Sequence, residues 1–286
     1  MLSDVSVIIV NWNGTHYLDA CLRSIEHVPS VVLVDNGSTD GSVAFVREHF
    51  PRVRLVENGR NLGFSAANNA GVRACTGKYL LFLNNDTIVG AGAVERLRAA
   101  FDRDAAIAIV GGRLEQPDGR AQAGSFGSPP SFEGEWQRIF LRGRSRAPTV
   151  NSPDPDLSQY TSMVCGACLM IRRDVLEALG GWPEEYFAYA EDADLCRRTI
   201  AMGHRVWYES EARVLHFHGG SGKQRGTWSA LRARYISHRS INCYIRRYEG
   251  TGRSVAHAAL FVVDVLLSGL GLLGRALGRA TSTSPR

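Results

Sequence analysis

The 286-residue sequence predicts an α/β fold, a mostly parallel sheet covered by helices, with a helical appendage at the C-terminal end. Three observations carry that expectation. Continuous β-branched and aliphatic runs at 5–10, 31–34, 53–56 and 79–83 read as strands buried on both faces. Apolar residues at helical spacing fill the gaps between them, at 17–26, 42–50 and 65–75. Strand, helix and strand repeated in this way imply right-handed crossovers and a sheet buried beneath helices.

The glycines punctuate these elements. Gly41 and Gly63 sit near helix starts, and Gly77 follows the third helical stretch as a stop. A helix over 92–101 and a strand over 107–110 continue the pattern. Residues 111–161 then change character: Gly, Pro and Ser are frequent, with a basic patch at Arg142, Arg144 and Arg146. A structureless span of that length is either a lid or acceptor loop, or a surface insertion. Order returns with a strand at 163–171 and a helix at 174–179 that Gly180 and Gly181 stop. A helix at 192–202 and extended runs at 206–208 and 212–218 complete a domain expected to span 1–226.

Residues 227–286 form the appendage. Arg232, Arg234, Arg239, Arg246, Arg247 and Arg253 lead into an apolar stretch, 255–274, interrupted by His257 and Asp264. Its length is near that of a membrane span, but a central Asp costs roughly 2.5–3.5 kcal/mol on insertion. The expectation is a helical region lying on or dipping into a bilayer. The alternative is a helix packed on the preceding domain, 1–226, with Asp264 paired.

Bulk properties narrow the function. A net charge of +5 suits an anionic ligand or membrane surface but is too small to argue for nucleic acid, and no zinc-finger, homeodomain or aromatic RNA-binding pattern is present. Six dispersed cysteines do not make a disulfide scaffold, and no basic leader precedes the first apolar run, so a reducing cytoplasmic location is expected. Cys165 and Cys168 invite a redox or zinc reading; zinc would need a second ligand pair, and the residues that follow read as a buried strand.

Three acidic stretches carry the chemistry. Asp35 and Asp86 follow buried strands, and Glu191, Asp192 and Asp194 open a helix after an aromatic cluster. In parallel sheets ligands bind beyond the carboxyl ends of strands, where Asn11, Asp35 and Asp86 fall. Breaking a sugar–diphosphate bond calls for a divalent metal, and hard Mg²⁺ or Mn²⁺ prefers oxygen ligands such as Asp86. Neutral Asn84 and Asn85 beside it suit a metal that arrives and leaves with the nucleotide, though Asn and Asp also favour plain turns. Asp192 or Glu191 could deprotonate an acceptor hydroxyl, and one carboxylate suffices for a single inverting displacement. An acidic first turn also complements the helix dipole, but three acids in four positions exceed what a cap needs. Trp182, Tyr186, Phe187 and Tyr189 offer flat faces for a sugar or for a core. His216 and His218 share a face if extended, so one could complete a metal shell or touch a phosphate, or serve structure alone.

These residues resemble the family 2 glycosyltransferases of GT-A fold (Rossmann-like), and specifically their rhamnosyltransferase-like branch. The resemblance rests on Asn11-Trp12-Asn13-Gly14, Asp35-Asn36-Gly37-Ser38, Asn61-Leu62-Gly63-Phe64 with Asn68-Asn69-Ala70-Gly71, and Leu83-Asn84-Asn85-Asp86. It continues through Gly166-Ala167, Gly180-Gly181-Trp182, and Glu191-Asp192-Ala193-Asp194-Leu195 with Arg198, covering about residues 5–221. It implies an inverting, metal-dependent hexosyltransferase with Asp192 as base, Asp35 on the nucleotide base or ribose, and Asp86 and His216 at a Mg²⁺ or Mn²⁺ ion. Asn11, Asn13, Asn36, Asn61, Gly63 and Phe64 would help bind substrate, as would Asn68, Asn85, Gly166, Trp182 and Glu191. The implied donor is a nucleotide-diphosphate sugar, dTDP-rhamnose first, and the implied acceptor is lipid-linked or a polysaccharide at the inner face of the cell membrane. Asn84 stands where the family's metal motif commonly has an acid, and Asn36 where Asp is common. A dinucleotide-dependent oxidoreductase is disfavoured, because Asn11-Trp12-Asn13-Gly14 occupies the place of a Gly-x-Gly-x-x-Gly turn. A non-catalytic, membrane-tethered glycan-binding relative is expected to lack Asp86 or Asp192, and both are present.

Overall fold

The computed structural model describes residues 2–140, 154–217 and 227–281. Its first part alternates as expected: β1 (Val5–Asn11), α1 (Thr15–Ser24), β2 (Ser30–Asp35), α2 (Ser42–His49), β3 (Arg54–Glu57), α3 (Phe64–Arg73) and β4 (Tyr79–Asn84). There follow β5 (Thr87–Val89), α4 (Ala93–Ala100), β6 (Ile107–Glu115), β7 (Phe126–Gly127), α5 (Phe132–Phe140), β8 (Gln159–Thr161) and β9 (Met163–Val164). The remainder is β10 (Cys168–Arg172), α6 (Arg173–Ala178), α7 (Glu191–Ala201), β11 (Arg205–His216), α8 (Thr227–Glu249) and α9 (Thr251–Thr281).

The main sheet runs β3-β2-β1-β4-β10-β6-β11-β5, with β8 also on β11. β3, β2, β1 and β4 are parallel, but β10 is antiparallel to both its neighbours, and β5 and β8 are antiparallel to β11. The sheet is therefore mixed rather than mostly parallel. An apolar run reveals burial but not direction, which is why β10 could not be oriented from its residues. Alternate residues of the parallel strands face two separate cores. Val5, Val7, Ile9, Leu81 and Leu83 pack with Leu18, Val46 and Leu97 of α1, α2 and α4. Ile8, Leu80 and Phe82 pack with Ala67, Leu176 and Leu195 of α3, α6 and α7.

Other corrections concern the second half. The runs expected at 206–208 and 212–218 are one strand, β11, irregular in register between Glu209 and Arg213; His218 lies outside the described residues. The strand expected at 163–171 is two, β9 and β10, separated by Cys165-Gly166-Ala167. The span 111–161 is not structureless: β6 extends to Glu115, and β7, α5 and β8 lie within it. β6 continues past its apolar run in pairing with β11 as far as Glu115, and Gly111 packs under Val164, whose Cβ would lie 2.4 Å from any Cβ added there. The Arg142–Arg146 patch falls outside the described residues.

The chain divides into two compact units, Met1–Pro129 with Pro148–Ser237, and Pro130–Ala147 with His238–Arg286. The first holds the sheet. The second takes α5, expected within the loop of the N-terminal domain, together with the end of α8 and α9. In that unit Tyr244, Ile245 and Leu260 are buried, and so are His238, His257 and Asp264. Asp264 is paired, with its Oδ2 3.4 Å from His238 Nε2. Among the described residues no helix is long and apolar enough to cross a membrane.

Candidate active site

Parallel register aligns the ends of three strands: Asn11 pairs with Asp35, and Val10 with Asn84. Their polar side chains then meet. Asn11 Nδ2 donates to Asp35 Oδ1 at 3.2 Å and to Ser38 Oγ at 3.1 Å, while its Oδ1 accepts from Asn85 Nδ2 at 2.7 Å. Asp35 Oδ2 accepts the backbone N–H groups of Gly37 and Ser38, at 3.1 and 2.9 Å, so the carboxylate is fixed by its own turn. Gly14 makes room for this amide pair: a Cβ there would lie 2.1 Å from Asn85 Nδ2. Asn13, at φ 53°, accepts the Thr39 N–H at 2.8 Å and clamps the same turn.

Asn36 spends its whole amide on the chain. It donates to Asn61 Oδ1 and Gly63 O, and accepts from Asn58 Nδ2 and the Leu62 N–H. It therefore shapes the 58–63 loop, as does Asn61, whose Oδ1 also accepts the Gly63 N–H. Gly63, at φ +90°, lets Phe187 O approach to 2.6 Å of where a Cβ would stand, and the Phe64 N–H donates to that carbonyl. Asn68 on α3 is buried, with no partner for Nδ2.

Asp86 and His216 come together across the β5–β11 pairing, in which His216 faces Thr87. His216 Nε2 stands 3.3 Å from Asp86 Oδ1, and both side chains are buried. His216 Nδ1 donates to Gln122 Oε1 at 2.8 Å, which leaves Nε2 with its lone pair toward Asp86, where Asn84 Nδ2 also approaches at 3.3 Å. Gln122 carries no sequence signal, because it sits in a stretch read as loop.

Asp192 joins this end of the sheet through one backbone rung. The Asn84 N–H donates to Ala167 O at 3.1 Å, and the adjacent Gly166 N–H donates to Asp192 Oδ2 at 2.9 Å. Asp192 Oδ1 accepts the Ala193 N–H at 2.8 Å. Phe64 lies against Gly166, and its ring meets Trp182 edge-on at 5.5 Å. Burial raises the pKa of Asp192 despite these hydrogen bonds. Glu191 is pushed well above the carboxylate range by burial and by the neighbouring Asp192, and its Oε2 has no partner. Asp194 is structural, accepting from Arg198 Nε at 2.6 Å and Tyr186 Oη at 3.3 Å. Trp182 and Tyr186 are core, whereas Phe187 and Tyr189 are exposed and available to a ligand. Tyr189 and Ala190 enter α7 with φ of 72° and 66°, a strained approach to the acidic turn.

A model of the family described as glycosyl transferase family 2 matches residues 6–180, more than half of the chain. The chain belongs to glycosyl transferase family 2. It is 27% identical over 256 residues to an N-acetylglucosaminyl-diphospho-decaprenol L-rhamnosyltransferase of Mycobacterium tuberculosis, covering 83% of each chain. It is 23% identical to an O-antigen chain rhamnosyltransferase of Salmonella anatum, covering 74% of this chain and 64% of the relative. In fold it is similar to a mannosyltransferase from Pyrobaculum calidifontis solved with GDP-Man and Mn²⁺, with TM-score 0.59 and 19% identity over 99% of this chain and 76% of the other. This glycosyltransferase is thus rhamnosyltransferase-like. The family match ends before Asp192 and His216, which reach the site by geometry alone.

The residues present fit a divalent cation. A carboxylate oxygen and an imidazole lone pair, both acceptors, converge 3.3 Å apart in a buried place, with the far nitrogen of the imidazole held by Gln122. The paired cysteines fit no such role. Cys165 and Cys168 are free thiols, and burial pushes both upward, Cys168 to about 12.

Proposed function

We infer that this glycosyltransferase moves a sugar, with inversion, from a nucleotide-diphosphate donor onto a hydroxyl of a lipid-linked or polysaccharide acceptor. The observation that carries the reading is the run of short contacts from Asp35 through Asn11, Asn85 and Asn84 to Gly166 and Asp192, with Asp86 and His216 at its middle. Rhamnose from dTDP-rhamnose is the favoured donor, because two of the relatives are rhamnosyltransferases. A decaprenol-linked acceptor in one relative's name makes a lipid-linked diphosphate the first acceptor to test.

Each residue then has a role. Asp35, fixed by Asn11 and its own turn, reads the nucleoside. Asp86 and the Nε2 of His216 would hold Mg²⁺ or Mn²⁺, which when bound offsets the charge left on the departing diphosphate. Asp192 takes the acceptor proton, and its raised pKa strengthens it as a base. Glu191, whose pKa burial and the neighbouring Asp192 push well up, holds its proton more tightly and, when protonated, can donate a hydrogen bond to the substrate. With one basic carboxylate on the acceptor side, a single displacement is the economical route.

The second unit is assigned to the membrane surface. Val255, Val262 and Leu266 of α9 are 66%, 56% and 61% exposed, an apolar face in reach of basic Arg246, Arg247 and Arg253 along the chain. Nucleotide release by purified enzyme, measured over UDP-, dTDP- and GDP-sugars with a metal series, tests the donor assignment. Release from dTDP-rhamnose above the others supports it, and turnover of another sugar in its place overturns it.

A further inference from the structure

We propose that Glu135, His238 and His257 form a second divalent-metal site, zinc by preference, within the C-terminal helical unit. The three residues come from α5, α8 and α9, and each offers a ligand atom, with all of these atoms within 4.8 Å of one another. None belongs to the acidic stretches of the transferase site, and the proposal does not depend on the donor or acceptor.

Two features distinguish the cluster from ordinary helix packing. Burial without partners is the first: His257 is wholly buried and neither ring nitrogen has a hydrogen bond, and His238 Nδ1 is likewise buried and unpartnered. An imidazole sealed in this way loses its bonds to water and gains none, a cost that a metal–nitrogen bond removes. Orientation is the second. His238 Nε2 lies 3.3 Å from Arg138 Nη2 and 3.4 Å from Asp264 Oδ2; once Arg138 swings away, the Nε2 proton goes to the carboxylate and Nδ1 keeps its lone pair. Carboxylate, histidine and ion in series is the usual outer support of a metal-bound imidazole.

Charge completes the argument. Glu135 and Asp264 share one guanidinium, Arg138, whose Nη2 is 2.8 Å from Glu135 Oε2 and 3.9 Å from Asp264 Oδ2. The Glu135 and Asp264 carboxylates thus place negative charge beside the two imidazoles, where a dication would meet it. Neutral imidazole is the form that binds metal. Arg138 is 42% exposed and can turn to solvent when a dication takes its place. Two imidazoles and one carboxylate are a donor set suited to zinc, with a fourth position for water. Bonds of about 2.1 Å set tetrahedral ligand atoms about 3.4 Å apart, so loading draws the three side chains together by roughly an ångström. The ion would pin α5 to α8 and α9, elements that are distant in sequence.

The test uses the full chain without a histidine tag, stripped with a chelator and titrated with zinc against a chromophoric competitor. One tight equivalent is expected, with a rise in Tm, in the wild type and equally in Asp86→Asn and in Cys165→Ser/Cys168→Ser. Glu135→Gln and His257→Leu should each weaken this binding by at least about tenfold and abolish the Tm rise. Glu135→Gln is close to isosteric and carries the test if His257→Leu does not fold. A folded wild type that takes up no zinc overturns the proposal. So does uptake that vanishes in Asp86→Asn or the cysteine variant yet survives in Glu135→Gln.

Discussion

Asp192 is held by two backbone N–H groups, from Gly166 and Ala193, and its carboxylate stays partly buried between them. Replacing it with Asn keeps the shape and removes the base. Asp192→Asn should lower kcat by about 10²- to 10⁴-fold with donor affinity unchanged, measured by nucleotide release and by donor titration. The raised pKa sets the pH profile: the base works only when ionised, so kcat climbs as pH passes through a value above that of a free aspartate. That limb should be missing from the residual rate of Asp192→Asn. Glu191 has the opposite consequence for stability. Its folded pKa lies above the unfolded one, so the fold loses stability as pH rises from the unfolded value through the folded value. Glu191→Gln should therefore raise Tm at neutral pH and leave it unchanged in acid, by calorimetry across a pH series. Gln122 tests the metal pair from behind. Gln122→Leu frees the outer nitrogen of His216 and should weaken Mn²⁺ binding about 10- to 100-fold.

Local backbone geometry makes its own demands. Gly63 combines a φ of +90° with the Phe187 carbonyl 2.6 Å from where a Cβ would stand. Gly63→Ala should cost about 1–3 kcal/mol in urea unfolding, through backbone strain and displacement of the 187–190 approach to α7. The parallel half of the fold could be read from sequence, because strands buried on both faces leave unbroken aliphatic runs and β1, β2 and β4 have them. The acids at their ends followed directly. Direction and pairing could not be read in the other half. β10 inserts antiparallel between β4 and β6, and β11 is one bent strand where two runs were expected. α5 is amphipathic, but its short helix lay among Gly, Pro and Ser, so composition concealed it. The approach of Gln122 to His216 and the saturation of Asn36 depend on tertiary placement, which no local pattern encodes.

For the whole molecule, the basic charge and the exposed apolar face of α9 predict selective attachment to anionic vesicles. Flotation of the full chain should succeed with anionic vesicles, fail with neutral ones, and weaken as salt rises. Equal flotation with both kinds would assign the contact to apolar insertion instead. The bond from the Asn84 N–H to Ala167 O, at 3.1 Å, joins the stretch that carries Asp35 and Asp86 to the stretch that carries Asp192. Because that contact is main chain to main chain, it makes no demand on either side chain. Hybrid enzymes spliced within α4, inheriting the front portion from one parent and the back from another, should keep this join whatever residues the parents place there. Sugar selection and acceptor selection are then properties that breeding experiments could exchange separately.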